Sequence, residues 1–288
     1  VLADVGAADL TLDPDDVARK MSPRTKVIMP VHYGGQPARM DELKAAAGDG
    51  VTFLEDVAHA PGATYRGRPA GSLGDVAAFS LYATKNVTSA EGGVLTTDDE
   101  GIAERARSLA LHGMSRDAWK RYRASARSWR YEVAEPGYKY NLSDLQAALG
   151  ASQAARLEDL NARRVRVAGW YDELLGGITE IELPTTLPTT TRHAWHLYVI
   201  RIRPEQLTID RDAFIEELRD AGVATSVHFI PIHHHPGFAG LGVHPGDLRA
   251  TDAAFERIIS LPIYPDLARE EAEYVATAVA AIARRHRR

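Results

Sequence analysis

The sequence predicts an α/β fold: a mostly parallel sheet flanked by helices, followed by a smaller C-terminal α+β domain. Three observations predict it. Short apolar runs alternate with amphipathic helical patterns through the first half, which calls for crossover connections and helices on the sheet faces. One helical pattern runs from about 143 to 175, longer than a typical globular helix. Beyond it the order changes to strand, helix, strand and two closing helices. The expected divisions are 1–157 for the large domain and 158–288 for the small one, joined by that long helix.

The elements follow in order. In "LDPDDVARKM" Asp13 is an N-cap and Pro14 takes the first helical position, where a missing N–H costs nothing. "TKVIMPV" (25–31) is apolar with β-branched residues and reads as a strand. "PARMDELKAAAGDG" reads as a helix ending at glycine. "VTFLED", "DVAAFSLY" and "GGVLTT" read as three further strands. "DDEGIAERARSLALHG" is a helix with acids in its first turn and Gly113 past its end. The long helix opens on a capping box, Ser143 with Gln146. "AWHLYVIRIR" and "VATSVHFI" read as strands around the helix "DRDAFIEELRDAG". "LRATDAAFERIISL" and "REEAEYVATAVAAIARR" read as the closing helices.

The composition, 45% hydrophobic and 25% charged, is that of an ordinary globular protein, and 288 residues suffice for one large unit or two modest ones. A net charge of −5 argues against a general nucleic-acid binder, and the terminal "ARRHRR" reads as a helix end favoured by its dipole. With no cysteine there is no disulfide, thiolate catalysis or cysteine-based zinc site, and a cytoplasmic location is expected. No apolar run has transmembrane length and no signal-peptide pattern is seen, so no membrane partner is expected.

Two strands end in reactive groups. "VTFLED" delivers Asp56, and "DVAAFSLYATK" delivers Ser80 and Lys85. Ligands of parallel α/β sheets bind beyond the carboxyl ends of strands, so these groups can share one crevice. A lysine and a carboxylate at neighbouring strand ends suit pyridoxal phosphate: the amine forms a Schiff base, and the carboxylate keeps the ring nitrogen protonated. Spacing alone leaves other readings open, because a strand-end aspartate also caps helices and a lone lysine is ordinarily solvated.

The surrounding motifs narrow the choice. "EDVAHAPGATYRGRPAGSLGDVAAFSLYATKNVTSAEGGVLTT" resembles the DegT-type sugar aminotransferases, which are fold type I pyridoxal-phosphate enzymes. The resemblance extends collinearly through "PVHYGGQPARMDEL", "PGYKYNLSDLQAALG", "HAWHLYVI", "TSVHFIPIHHHP" and "ISLPIYPDL". "YATKN", "PGYKYNLSD" and "SVHFIP" are most similar to members that aminate C4 of a nucleotide-linked 4-keto sugar. The resemblance implies an amino-acid donor, L-glutamate, and polysaccharide or glycoside synthesis.

It also implies roles. Lys85 is the Schiff-base lysine and the proton shuttle. Because a free lysine titrates near 10.4, its pKa must be depressed for it to act as a base near neutrality. Asp56 partners the pyridine nitrogen, His59 the ring hydroxyl and Ser80 the phosphate, while Asn141 reaches the phosphate of a neighbouring subunit, so a homodimer with shared sites is expected. Each has a plainer reading: turn histidine, small strand residue, helix-entry asparagine. His228, His32 and Tyr33 are candidate substrate contacts. His228, His233, His234, His235 and His244 cluster in sequence, but no carboxylate or cysteine spacing supports a closed site, so no metal is expected.

Two other functions compete. A related sugar dehydratase carries histidine at the lysine position, which Lys85 argues against. A catalytically silent cofactor- or sugar-binding regulator stays open. No G-x-G-x-x-G follows a strand, against a nicotinamide dehydrogenase. The chain opens on "VLADV", inside a strand-like segment. The resemblance implies a preceding segment with a phosphate-binding helix start and an aromatic that stacks on the ring. The expectation is therefore an N-terminally truncated large domain, impaired or inactive alone.

Overall fold

The computed structural model describes residues 1–114 and 132–288. Its first sheet is built around β2 (Thr52–Asp56) and β5 (Val76–Ser80), with β1 (Val27–Ile28) and β6 (Gly93–Thr97) outside them, in the order β1-β2-β5-β6. β1 with β2 and β2 with β5 run parallel, and β5 with β6 antiparallel. The β5–β6 connection from Leu81 to Gly92 holds no helix among its elements, so it returns the chain directly beside β5 instead of crossing over.

The local signals behave as their chemistry requires. Helix α1 (Pro14–Lys20) starts at Pro14, with the Asp13 carboxylate accepting from Asp15 N at 3.3 Å. Helix α2 (Met40–Ala47) buries Met40 and Leu43, which join Val17, Ile28, Phe53, Tyr65 and Leu73 in one core. Helix α3 (Glu100–Ala110) is capped by Asp99, whose carboxylate accepts from Ile102 N. Helix α4 (Asp144–Ala154) carries the capping box: Ser143 Oγ accepts from Gln146 N, and Ser143 N donates to Gln146 Oε1.

The long helix expected over 143–175 is interrupted. α4 stops at Ala154, and α5 (Leu157–Leu175) begins after Arg156, whose φ of −102° and ψ of 1° leave the helical region. The two halves dock on different surfaces. Gly150 of α4 packs against Leu81 and Ser89, whereas α5 buries Leu160, Asn161, Arg164, Val167, Ala168, Tyr171 and Leu175 at helical spacing.

Past α5, β7 (Ile181–Glu182), β9 (Tyr198–Ile202) and β10 (Ile258–Leu261) form an antiparallel sheet in the order β10-β9-β7. It packs with α5, α6 (Arg211–Asp220) and α8 (Arg269–Arg285) around Tyr171, Tyr198, Phe214, Leu218 and Val279. Two expectations are corrected here. Helix α7 covers only Arg249–Phe255, and "IISL" is β10, because Ile258 and Ile259 are buried against β9 where β-branched residues fit a sheet. The strand expected at "VATSVHFI" reduces to a single bridge, Ser226 with Ser260. There the His228 carbonyl accepts from Tyr33 Oη instead of from a neighbouring strand. A third small sheet of β3 (Thr64–Tyr65), β4 (Arg68–Pro69) and β8 (Thr190–Arg192) ties the two halves together.

Gly35 brings the backbones of the two halves into close contact. Its φ is +107°, its O accepts from Ala194 N at 2.9 Å, and a Cβ there would lie 2.7 Å from Trp195 N and 3.0 Å from His196 N. Gly35→Ala is expected to destabilise the protein by about 2 kcal/mol or more, from positive-φ strain and this collision. An unmoved midpoint in chemical denaturation would contradict it. Among the described residues, no helix is long and apolar enough to cross a membrane.

Candidate active site

β2 and β5 are adjacent and parallel, so their carboxyl ends open at the same edge. Asp56 is the last residue of β2 and pairs in register with Ala78; Ser80 lies two residues on, at the end of β5. Alternation along β2 buries Phe53 and Glu55 and leaves Asp56 half-buried on the other face. The Asp56 Oδ1 accepts from Ala58 N at 2.9 Å, which holds the turn toward His59.

Lys85 sits on the turn after β5, its N–H donating to Tyr82 O at 3.0 Å. The turn closes on itself: Ser89 N donates to Leu81 O, and Leu81 N to Gly92 O. At Gly92, φ +153°, a Cβ would come within 2.6 Å of Ser89 Oγ and 2.7 Å of Leu142 Cδ1, so the close return requires glycine. Lys85 is half-buried, and burial lowers its pKa against the opposing pull of Asp56. The depression that base chemistry needs is therefore present in direction.

His59 is buried, and burial, with Lys85 and His228 adding to it, pushes its pKa down to about 3. Its ring is neutral at neutral pH. Gly34 N donates to Nδ1 at 3.4 Å, which leaves Nε2 as the ring N–H. Around it lie His196 at 4.4 Å, Phe229 at 5.8 Å and Tyr33 at 6.3 Å between ring centroids. His228 is depressed by burial and by Lys85, and its Nδ1 is 2.8 Å from Ser260 Oγ. Lys85, Asp56, His59 and His228 thus form one electrostatic cluster at the sheet edge.

Other candidates go elsewhere. His32 is fully buried, with Nδ1 accepting from Ala38 N at 3.0 Å and Nε2 donating to Glu55 Oε2 at 2.8 Å. Both nitrogens are spent inside the fold, so the expected substrate contact is instead a core hydrogen bond. The Tyr33 hydroxyl is spent on the His228 carbonyl, and burial raises its pKa. Ser80 Oγ accepts from Tyr82 N at 3.3 Å. Asn141 is exposed and takes a hydrogen bond from Lys139 Nζ.

The histidine-rich loop does meet a carboxylate, one that local spacing did not reveal. Asp252 Oδ1 accepts from His233 Nε2 at 2.8 Å and His234 Nε2 at 2.7 Å, and Oδ2 accepts from Gly246 N at 2.6 Å. Three N–H donors already satisfy that carboxylate.

The family profile described as the DegT/DnrJ/EryC1/StrS aminotransferase family matches residues 1–280. The chain belongs to this family. The spore coat polysaccharide biosynthesis protein SpsC of Bacillus subtilis is 44% identical over 282 residues, covering 97% of this chain and 72% of SpsC. A putative sugar aminotransferase from Streptococcus pneumoniae, solved in its PMP form, superposes with a TM-score of 0.90 at 30% identity over 99% of this chain and 76% of its own. S. venezuelae DesV, solved in complex with a ketimine intermediate, superposes with a TM-score of 0.86 at 34% identity, covering 98% and 72%. The aminotransferase fold expected from the motifs is therefore the fold of this chain.

Sequence reading missed Glu55, Asn86, Asn161, His196 and Phe229. Glu55 and Asn86 adjoin the residues that it found, and His196 lies within a motif already quoted, "HAWHLYVI". Their partners are distant in sequence, so no local pattern announces them.

Proposed function

We propose that this family member is a pyridoxal 5′-phosphate-dependent transaminase that carries the amino group of L-glutamate to a nucleotide-linked 4-keto sugar for polysaccharide or glycoside synthesis. The observation that carries the reading is Lys85, an amine with a burial-depressed pKa set beside Asp56 and the neutral His59. The pneumococcal and S. venezuelae structures, and SpsC in polysaccharide synthesis, support it.

The residues present fit the cofactor. They offer an amine for its aldehyde, a carboxylate for its ring nitrogen, an imidazole N–H for its ring hydroxyl and a strand-end hydroxyl for its phosphate. When bound, pyridoxal phosphate supplies an electron sink that makes a proton on the substrate carbon labile. The protein does the rest. Asp56 holds the proton on the ring nitrogen. Lys85 would take and return the substrate proton, and its depressed pKa places more of it in the basic form at neutral pH. His59, fixed by Gly34 N–H, donates through Nε2 without adding a charge. His228 contacts substrate through Nε2, its Nδ1 being held by Ser260.

A homodimer with shared sites completes the reading, Asn141 reaching the partner's phosphate. The exposure of Asn141 supports it, as do the exposed apolar residues beside it: Tyr138 and Tyr140, stacked at 4.8 Å, and Leu145. The test pairs the protein with glutamate and a panel of nucleotide 4-keto and 3-keto sugars, following 2-oxoglutarate. Turnover confined to 4-keto sugars is expected. Turnover on 3-keto sugars alone would overturn the regiochemistry, and none on any sugar would overturn the reaction.

A further inference from the structure

Asn86 follows Lys85 directly and is buried. Its Nδ2 donates to Ala194 O at 2.8 Å and to Asn161 Oδ1 at 3.0 Å. A backbone carbonyl can only accept, which assigns the Asn86 amide nitrogen. Asn161 is assigned in the same way, because its Nδ2 donates to Pro61 O at 2.9 Å. Asn86 Oδ1 is therefore an acceptor. The atom facing it, His196 Nδ1 at 3.1 Å, must carry the proton. His196 is fixed as one tautomer, with Nε2 unprotonated, and its ring lies 4.4 Å from that of His59.

We propose that Asn86 is a positioning residue for Lys85: its amide locks the lysine-bearing turn and the His196–His59 ring pair into one unit, tied to α5 and to the loop after Asp56. The inference rests on Lys85 being the reactive amine. The four anchors lie on three segments: Asn161 on α5, Pro61 in the loop that follows Asp56 and His59, and Ala194 and His196 on the approach to β9.

The unit also sets the charges around the amine. Lys85 faces Asp56, His59 and His228; His196 faces His59, Lys85, Arg164 and His228. Burial, then His59 and Lys85, pushes His196 down to about 2. Two rings held neutral by burial thus lie within the amine's electrostatic reach, with Asp56 as its counter-charge. Loosening the turn would let water reach the amine and relax its pKa toward the ordinary lysine value.

The experiment reads two quantities on the protein without cofactor. The Lys85 pKa comes from the pH dependence of reductive methylation, quantified by peptide mass spectrometry. The His196 tautomer comes from ¹⁵N chemical shifts. Wild-type His196 is expected as the Nδ1–H form. Asn86→Ala should mix the tautomers and raise the Lys85 midpoint toward that of an ordinary lysine. His196→Phe, which keeps a ring at the stack but removes the hydrogen bond, should move the midpoint the same way.

A role confined to stability would lower the unfolding midpoint and leave that of the lysine in place. An unmoved Lys85 midpoint in folded variants, or wild-type His196 in the Nε2–H form, overturns the proposal. If both variants fail to fold, the wild-type tautomer decides it alone. A protein that takes up no pyridoxal phosphate at Lys85 sinks the functional reading, while tautomer and midpoint still decide this one.

Discussion

Lys85→Ala is expected to lose covalent pyridoxal phosphate and to lower kcat by about 1000-fold or more. The two losses have separate causes. Without the amine there is no Schiff base, so borohydride reduction should leave no cofactor mass on the peptide spanning position 85. Without a positioned base the proton transfer slows, and general acid–base contributions of this kind reach about 10²–10⁴-fold. Asp56, His59 and Ser80 remain, so non-covalent cofactor binding should persist at reduced affinity. Mass spectrometry after reduction, paired with single-turnover kinetics, checks both. A cofactor adduct that persists elsewhere in the variant, with turnover intact, would transfer the role from Lys85 to another amine. A protein whose biological effect survives the change unaltered would favour the silent regulator.

The largest stability effect should come from Glu55, which does no chemistry. Its carboxylate is fully buried next to Asp56. Oε1 accepts from Leu73 N at 2.7 Å and Gly74 N at 2.6 Å; Oε2 accepts from Gly71 N and His32 Nε2, both at 2.8 Å. One side chain thus satisfies three backbone donors of the 71–74 turn and ties His32 to β2. Glu55→Ala leaves four donors unpaired, those of Leu73 and His32 buried and those of Gly71 and Gly74 partly buried, and is expected to cost about 3–5 kcal/mol, read by urea or guanidinium denaturation. Glu55→Gln keeps the shape but sets an amide N–H₂ against N–H donors, so it should also destabilise.

The pH dependence follows with a definite sign. Burial works to raise the Glu55 pKa, but hydrogen bonds from His32, Gly71 and Gly74 outweigh it and hold the carboxyl below its ordinary value. A depressed carboxylate stabilises the fold above the unfolded pKa, about 4.3, and that stabilisation is lost as pH falls through the folded value. The wild type should lose stability below about pH 4, and Glu55→Gln should lack that part of the loss. Parallel acid profiles of the two proteins would remove Glu55 as a source of acid sensitivity.

These two residues show what a sequence can and cannot disclose. Lys85 was legible because a lysine after a buried strand, bounded by Glu91-Gly92-Gly93, is a local pattern within a longer family motif. Asp56 was legible for the same reason. Glu55 is the next residue back, yet its role was hidden, because its partners belong to a turn whose position relative to β2 no spacing rule supplies. His32 was misplaced for a related reason. A histidine past a strand end looks available, and only the packing of Glu55 and Ala38 against it shows both nitrogens used.

The sequence by itself determined the α/β architecture, the helix caps at Asp13 and Ser143, the family, and the amine and carboxylate at the sheet edge. These depend on periodicity, capping chemistry and motifs, which act over a few residues. The tertiary structure decided the rest: the antiparallel return of β6, the break between α4 and α5, the strand at Ile258–Leu261, and the Asn86–His196–His59 unit beside the lysine. Those outcomes turn on hydrogen-bond partners and packing surfaces brought together from distant parts of the chain. A buried amide such as Asn86 acquires its direction only when acceptor-only carbonyls at Pro61 and Ala194 close around it.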